Sequence, residues 1–296
     1  MKQTFDCIVI GAGIAGMTAA IYLKRANKNV ILIEKEIPGG LINKTSDVEN
    51  YPGFIKIDGP SLVMNIYNQI RQLEIPLIFN EVIEIENGSE KKIYLKNGEI
   101  LDTKSIIIST GRIPRSLGLP NEKELIGHGI SYCALCDGAF FKCKEICVVG
   151  GGNSALEESY YLSNICSKVT ILNRSDRLRA DSTLIERIKT RPNVEILYNS
   201  QIEKINGENR LESITVNGKD ILCEGLFIYI GLDPDINFLK NINIENEKGY
   251  IIVDKNLKTN IDGIYACGDV IKKDVYQIIT AAGEGATAAT NLIKEL

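Results

Sequence analysis

Short apolar runs alternate along the chain with longer segments of helical periodicity, which predicts strands followed by helices. Near the N-terminus, residues 6–10 form an apolar run, residues 11–16 (GAGIAG) are rich in glycine, and a helical pattern continues to about residue 26. A second apolar run, residues 29–33, ends at Glu34. This order predicts a strand–helix–strand (βαβ) unit.

The same pattern recurs in the middle of the chain. An apolar run over residues 145–149 precedes the segment 150–155 (GGGNSA), a helical pattern reaches about residue 165, and the run 168–172 ends at Asn173. Glu34 lies 23 positions after Gly11, and Asn173 lies 23 positions after Gly150. One glycine motif is a weak signal, but two complete βαβ contexts with equal spacing indicate two dinucleotide-binding units.

Each glycine position has a separate physical task. The first permits a tight turn, the second lets a pyrophosphate approach the backbone, and the third lets the helix pack closely on the strand. The helix N-terminus then offers free N–H groups to the phosphates. In chain order the three positions are Gly11, Gly13 and Gly16 in the first unit and Gly150, Gly152 and Ala155 in the second. A glycine-rich turn without a ligand is the alternative.

The residues that end the second strands differ between the units. Glu34 is a carboxylate where the ribose hydroxyls of FAD or NAD would lie. Asn173 carries no carboxylate and is followed by Arg174, Arg177 and Arg179, whose charges suit a 2′-phosphate. A solvated basic face is the alternative for the arginines.

Three further apolar runs complete the predicted domains. Strands are predicted at residues 104–109, 225–230 and 263–266, and a helix at residues 278–295. We predict an α/β fold with two Rossmann-like dinucleotide-binding domains, the second inserted into the first. The predicted domains are residues 1–113 with 241–296 and residues 114–240, each with a dinucleotide fold; the family resemblance described below implies FAD in the first and NAD(P)H in the second, which carries a cysteine pair. The crossings near residues 112–115 and 234–239 are the predicted hinges.

The amino-acid composition excludes some classes of function. The 296-residue chain has a net charge of −4, so it lacks the basic excess that nucleic-acid binding needs. Residues 7–23 are uncharged but contain three glycines, which favours a strand, turn and helix over a membrane span. No signal peptide is visible, and a cytoplasmic location is expected.

Eight cysteines and one histidine define the candidate chemistry. Cys133 and Cys136 form a Cys-x-x-Cys motif, which favours a redox-active pair at a helix start. Asp137 follows directly and is the predicted proton shuttle, with His128 as a competitor. Together with Cys143 and Cys147 the pair could also form a metal site, but Cys147 falls inside a predicted strand, so we predict no metal.

The chain resembles low-molecular-weight bacterial thioredoxin reductases, which are FAD-dependent pyridine-nucleotide–disulfide oxidoreductases. The resemblance extends over nearly the whole length, and the larger glutathione-reductase type is excluded because no C-terminal interface domain or late histidine is present. The matching segments are residues 38–40 (PGG), 48–53 (VENYPG), 133–138 (CALCDG), 150–158 (GGGNSALEE), 259–269 and 277–283.

The resemblance implies a set of site residues. The implied catalytic residues are Cys133, Cys136 and Asp137. The implied FAD-binding residues are Gly11, Gly13, Ala15, Gly16, Glu34, Gly40, Asn50, Thr110, Gly111, Gly268, Asp269, Gln277 and Ile278. The implied NADPH-binding residues are Gly150, Gly152, Asn153, Ser154, Ala155, Arg174 and Arg179.

It also implies an electron path. Electrons would pass from NADPH through FAD to the Cys133–Cys136 pair and then to the disulfide of thioredoxin. Cys136 would face the flavin, and Cys133 would attack the thioredoxin disulfide. The enzyme would be a homodimer.

Departures from the family pattern leave the electron donor open. The family pattern is His-Arg-Arg-x-x-x-Arg, and in this chain its first three positions are Asn173, Arg174 and Ser175. Separately, Tyr276 stands where the family often has an arginine. NADPH is the preferred donor, with NADH and reduced ferredoxin as alternatives. A flavin dithiol oxidase and a redox sensor with a vestigial FAD site are the other hypotheses.

Overall fold

The computed structural model describes residues 4–45 and 47–296, and its elements follow the predicted alternation. The strands are β1 (Thr4–Ile10), β2 (Val30–Glu34), β3 (Leu77–Phe79), β4 (Val82–Glu86), β5 (Lys91–Leu95), β6 (Ile100–Ile108), β7 (Arg112–Pro114), β8 (Ile130–Ser131), β9 (Glu145–Val149), β10 (Lys168–Leu172), β11 (Val194–Leu197), β12 (Ile202–Asn206), β13 (Ser213–Val216), β14 (Lys219–Leu222), β15 (Gly225–Ile228), β16 (Leu232–Pro234), β17 (Asn246–Glu247), β18 (Tyr250–Ile251) and β19 (Ile264–Ala266). The helices are α1 (Ile14–Arg25), α2 (Gly59–Gln72), α3 (Ala134–Asp137), α4 (Asn153–Ser163), α5 (Ser182–Lys189) and α6 (Ile278–Ile293). Short 3₁₀ helices lie at Gly40–Lys44, Gly138–Phe141, Asn237–Leu239 and Gly268–Val270.

The first compact unit comprises the described residues up to Ile113 and Asp233–Leu296. Its main sheet has the order β3-β2-β1-β6-β5-β4, with β19 also beside β6. Strands β1, β2, β3, β6 and β19 are parallel, so they end at one edge of the sheet. Strand β1 is largely buried, as expected for a parallel sheet, and α1 packs on it and on α6.

The second unit, Pro114–Leu232, has its own core and its own parallel sheet, in the order β11-β10-β9-β15-β8. A separate antiparallel sheet of β12, β13 and β14 follows. The two units therefore confirm the predicted fold class, and β9 and β10 have the predicted bounds.

The second crossing between the units lies earlier than the sequence predicts. The chain returns to the first unit at Asp233, whereas the prediction assigned residues up to 240 to the inserted domain. Phe238 and Leu239 are buried in the core of the first unit, and their 3₁₀ helix packs on β4. Burial of these two side chains fixes the segment in the first unit. The proline at position 234 indicates a linker in the sequence but not this burial.

Among the residues that the structure describes, no helix is long and apolar enough to cross a membrane.

Candidate active site

The first glycine turn follows β1 at the edge where the parallel strands of the first unit end. Gly11 has φ +98°, and an added Cβ would lie 2.5 Å from the carbonyl oxygen of Ser109. A Cβ on Gly16 would lie only 2.0 Å from the carbonyl oxygen of Gly11. Around Gly13, by contrast, a Cβ would meet nothing within 4 Å. The first and third glycines are thus required by packing, and the second opens onto free space at the N-terminus of α1.

Glu34 lies at the end of β2, beside this turn. Its carboxylate accepts hydrogen bonds from the backbone N–H of Ala12 (2.7 Å) and of Glu36 (2.9 Å). Ala15, on α1, packs against the C-terminal segment, where a Cβ on Gly268 would lie 2.8 Å from that of Ala15. The turn, the carboxylate and the C-terminal glycine therefore meet at one end of the sheet, as the sequence predicts.

A half-buried charge cluster surrounds Asp269. Its carboxylate pairs with the guanidinium of Arg112 (2.7 Å) and with Lys273 (3.3 Å). Arg112 also stacks 4.1 Å over the ring of Tyr276, and its buried Nε has no hydrogen-bond partner among the described residues. Sequence reasoning did not identify Arg112, because its guanidinium meets Asp269 and Tyr276 only in the folded chain.

The other residues implied for FAD lie around the same edge. Gly40 and Gly111 have positive φ values of 55° and 66°, and neither has an atom within 4 Å of an added Cβ. The Asn50 amide donates to Gln277 Oε1 (3.1 Å), at the start of α6. The remaining members are Thr110, whose hydroxyl donates to the carbonyl of Asp235 (2.7 Å), and Ile278, the first residue of α6.

These features fit an FAD molecule. An open glycine backbone at a helix N-terminus accepts a pyrophosphate, and a carboxylate at the end of the second strand accepts ribose hydroxyls. The unpartnered Arg112 Nε is a buried donor that a polar ligand atom would satisfy.

The second glycine turn, at the end of β9, repeats this arrangement. Gly150 has φ +139°, and an added Cβ would lie 2.3 Å from the carbonyl oxygen of Tyr229. Gly152 opens onto free space at the N-terminus of α4, and Ala155 is buried against the turn. Asn153 and Ser154 are exposed in the first turn of α4, where Asn153 and Asp181 exchange two hydrogen bonds.

Asn173 has an internal, structural position. It is 3% exposed, and its amide donates to the carbonyl oxygens of Ser175 and Arg177, both at 2.9 Å. Its Oδ1 would lie 2.1 Å from a Cβ added to Gly151, so these two residues fit only as a pair. Arg174 and Arg179 are exposed on the loop that Asn173 holds, and no ion pair with an acidic side chain engages them within the described residues.

The cysteine pair lies at the same sheet edge as the second turn. Strand β8 is parallel to β15 and leads directly to Cys133, which caps the short helix α3. Cys133 and Cys136 form a disulfide, and the backbone N–H of Cys136 donates to Cys133 Sγ at 3.1 Å. Cys133 is 6% exposed, whereas Cys136 is exposed.

Ser131 and Tyr229 hold this helix in place. Ser131 Oγ donates to Asp137 Oδ2 (2.6 Å) and accepts from the backbone N–H of Cys133 (3.0 Å). The Tyr229 hydroxyl accepts from the N–H of Ala134 (2.9 Å). Tyr229 thus bonds to the redox helix while its carbonyl lies against Gly150, which links the nucleotide turn to the disulfide. The sequence gives no signal for either residue, because both act through strand neighbours.

Glu158 adds a half-buried carboxyl to this region. Burial, aided by the neighbouring Glu157, raises the pKa of Glu158 to about 7. Burial also raises the pKa of Tyr229, and the charge of Glu158 contributes to that shift. The tyrosine hydroxyl therefore keeps its proton at neutral pH.

The remaining cysteines are not gathered around the pair. Cys7, Cys147 and Cys267 are buried at 0–1% exposure, and Cys147 lies inside β9 as predicted. Cys223 is also buried, and its thiol raises the pKa of the neighbouring Cys147. Within residues 4–45 and 47–296, no group of three or more metal-ligating side chains is present.

Fold and site together define a two-unit dinucleotide-binding protein with a redox disulfide. The pyridine nucleotide-disulphide oxidoreductase family matches residues 5–285. The chain is 41% identical to a thioredoxin reductase of Bacillus subtilis over 98% of its length and 94% of that protein. The chain belongs to this family.

Two solved structures are similar over the whole chain. A thioredoxin reductase from Lactococcus lactis is 40% identical, with a TM-score of 0.91 and coverage of 99% of this chain and 100% of that one. A ferredoxin-flavin thioredoxin reductase from Clostridium acetobutylicum is 27% identical, with a TM-score of 0.56 and coverage of 100% and 99%.

Proposed function

We propose that the chain is an FAD-dependent thioredoxin reductase that uses electrons from NADPH to reduce the disulfide of thioredoxin. One observation carries the proposal: the Cys133–Cys136 disulfide lies at the same sheet edge as the second glycine turn, and Tyr229 contacts both. A reducible disulfide attached to one nucleotide-binding unit, in a chain that has a second unit of the same type, suits electron transfer from a nucleotide to a thiol pair.

The first unit holds FAD, which when bound supplies two-electron exchange between the nicotinamide and the disulfide. Gly11, Gly13 and Gly16 form the pyrophosphate turn, and Glu34 accepts the ribose hydroxyls. Arg112 fixes Asp269 and keeps Nε available as a donor. The other residues that would line the cofactor are Ala15, Gly40, Asn50, Thr110, Gly111, Gly268, Gln277 and Ile278.

NADPH binds at the second turn. Gly150, Gly152 and Ala155 shape the turn, and Asn153 and Ser154 begin the helix whose N–H groups face the pyrophosphate. Arg174 and Arg179 then supply the positive charge for the 2′-phosphate.

Thiol–disulfide exchange involves the pair itself. In the order that the resemblance implies, Cys133 attacks the thioredoxin disulfide and Cys136 faces the flavin. Cys136 then attacks the mixed disulfide and releases reduced thioredoxin. Asp137, held by Ser131, takes up and returns the thiol proton. Phe140, 74% exposed just after α3, offers an apolar contact for thioredoxin.

Two broader properties belong to the same proposal. The enzyme acts as a homodimer, as the resemblance implies, and it is located in the cytoplasm, where thioredoxin is kept reduced.

The proposal is tested with the purified protein, NADPH and oxidised thioredoxin. NADPH oxidation should require thioredoxin, and denaturation should release FAD. The double variant Cys133→Ser, Cys136→Ser should retain FAD but lose thioredoxin reduction. A protein that takes up no FAD, or a double variant that still reduces thioredoxin, would contradict the proposal.

Reduced ferredoxin is the second candidate donor. Ser175 replaces an arginine of the family pattern, and a ferredoxin-flavin enzyme is among the similar structures. Anaerobic titration with NADPH, NADH and reduced ferredoxin decides between them. If neither nucleotide bleaches the flavin while ferredoxin does, the NADPH assignment is wrong, and oxygen uptake with a small dithiol would instead indicate a dithiol oxidase.

The absence of the family's arginine at position 175 also leads to a quantitative prediction for the Michaelis constant of NADPH. Ser175→Arg should lower the Michaelis constant for NADPH on the order of tenfold, because one charged phosphate contact contributes about 1.5–3 kcal/mol. The constant for NADH should not change. Asn173 is left in place, because its buried amide holds the loop.

A further inference from the structure

A second pair of cysteines lies at the opposite edge of the second unit's sheet. Strands β9 and β10 are parallel and pair Glu145 with Lys168. Just before these strands, Cys143 lies two residues ahead of Glu145 and Cys166 lies two residues ahead of Lys168. Both are free thiols, and they lie where these strands begin, whereas the nucleotide turn and the Cys133–Cys136 disulfide lie where strands end.

Backbone hydrogen bonds extend the pairing to these cysteines. The N–H of Cys143 donates to the carbonyl of Ile165 (2.9 Å), and the N–H of Ser167 donates to the carbonyl of Lys144 (3.0 Å). Cys143 is therefore bonded to the residue directly before Cys166, and the residue after Cys143 is bonded to the residue directly after Cys166. These bonds hold the two cysteines close together, and disulfides span Cα–Cα separations of about 4.4–6.8 Å.

The two thiols differ in access to solvent. Cys143 is exposed, at a left-handed position with φ +60°, whereas Cys166 is 6% exposed. Burial raises the pKa of Cys166 to about 11, and the nearby Cys143 contributes to that shift. Reagents in solution therefore react first with Cys143, and Cys166 is the buried second thiol.

We propose that Cys143 and Cys166 form a second redox pair, which closes to a disulfide by exchange with small disulfides of the glutathione type. The Cys143 thiolate attacks the small disulfide, its S–S bond breaks, and one thiolate leaves. Cys166, as its thiolate, then attacks Cys143 Sγ and displaces the second. The protein loses two electrons and two protons, and the small disulfide becomes two thiols.

The new disulfide would join the segment after the redox helix to the turn after α4. Twenty-two residues lie between Cys143 and Cys166, including β9, the second glycine turn and α4. Closing this loop restricts the unfolded chain, so the oxidised protein should have a higher Tm than the reduced one.

The test treats the FAD-loaded protein with oxidised glutathione, followed by denaturation, alkylation and peptide mass spectrometry. The wild type should lose two of its six free thiols and yield a cross-linked peptide containing Cys143 and Cys166. Cys166→Ser should instead retain glutathione on Cys143, and Cys143→Ser should keep all its remaining free thiols. Cys223→Ser, which alters the buried Cys147–Cys223 contact, is the matched control and should form the same cross-link.

Two results would overturn the proposal. One is glutathione that stays on Cys143 in the wild type without ring closure, and the other is a cross-link between Cys147 and Cys223 in place of the expected one. The double variant Cys133→Ser, Cys136→Ser should still form the Cys143–Cys166 bond, so this inference stands or fails independently of thioredoxin reduction.

Discussion

At the scale of single residues, the two sulfurs of the redox pair have different proposed roles. In the proposed function, Cys133 attacks thioredoxin and Cys136 faces the flavin. The backbone N–H groups of Cys133 and Cys136 donate to Ser131 Oγ and to Cys133 Sγ, which holds the pair in place.

We expect the Cys136→Ser variant to attack thioredoxin through its remaining Cys133. Thioredoxin with one active-site cysteine, activated with thionitrobenzoate, should release the coloured thiolate on the order of tenfold faster with this variant than with Cys133→Ser. Both variants should carry Cys143→Ser, so that the exposed third thiol cannot react. Faster release by the Cys133→Ser variant would assign the attack to Cys136.

A second prediction at this scale concerns Glu158. Its pKa is raised from 4.5 to about 7, so the folded state binds more protons than the unfolded state between these values. The stability contribution of Glu158 is therefore lost as the pH rises from 4.5 to 7. Glu158→Gln should be more stable than the wild type at pH 8, on the order of 1 kcal/mol, and should lose this advantage near pH 4.

Urea unfolding of the FAD-free protein at both pH values measures the difference. Glu186→Gln, an exposed change on α5, serves as the control and should leave the pH dependence unaltered. An equal effect of Glu158→Gln at the two pH values would show that its carboxyl is not held protonated by burial.

At the scale of elements, different glycines of a strand–turn–helix junction serve packing and ligand binding. A Cβ on Gly16 would overlap the carbonyl oxygen of Gly11, whereas a Cβ on Gly13 would extend into free space. Two similar substitutions one helical turn apart should therefore have different effects.

We predict that Gly13→Ala keeps the fold and loses FAD, because the methyl group occupies the space of the pyrophosphate. Gly16→Ala should destabilise the protein by more than about 2 kcal/mol, because the methyl group forces α1 away from β1. Unfolding is measured on FAD-free proteins, since bound FAD stabilises the native state, and flavin content is measured by absorbance. A Gly13→Ala protein that retains full FAD would show that this turn does not contact the cofactor.

At the scale of the whole molecule, one thiol pair serves two reaction partners. The pair must accept electrons at the flavin and pass them to an external protein, and it cannot contact both at once. We therefore predict that the two units rotate relative to each other during turnover, with the crossing strands β7 and β16 as hinges.

Fluorescence energy transfer between the units tests this rotation. Ile55→Cys and Leu222→Cys provide labelling sites at 97% and 79% exposed positions, one in each unit, in a Cys143→Ser background. Addition of NADPH and thioredoxin should change the distribution of transfer efficiencies. A single distribution that is unaffected by either addition would contradict domain rotation.

The local chemistry of the chain determined the two βαβ units, the bounds of β9 and β10, and the roles of the glycine turns. These features depend on residues close in sequence: an apolar run, a turn that only glycine permits, and a helical pattern. The Cys-x-x-Cys motif likewise identified the disulfide without knowledge of the fold.

The tertiary structure decided what depends on distant neighbours. Tyr229 reaches Ala134 across 95 positions because β15 lies beside β8, and Arg112 meets Asp269 across 157 positions. The internal place of Asn173 and the proximity of Cys143 to Cys166 have the same origin. Strand order and burial are set by packing of the whole chain, so no local pattern of residues encodes them.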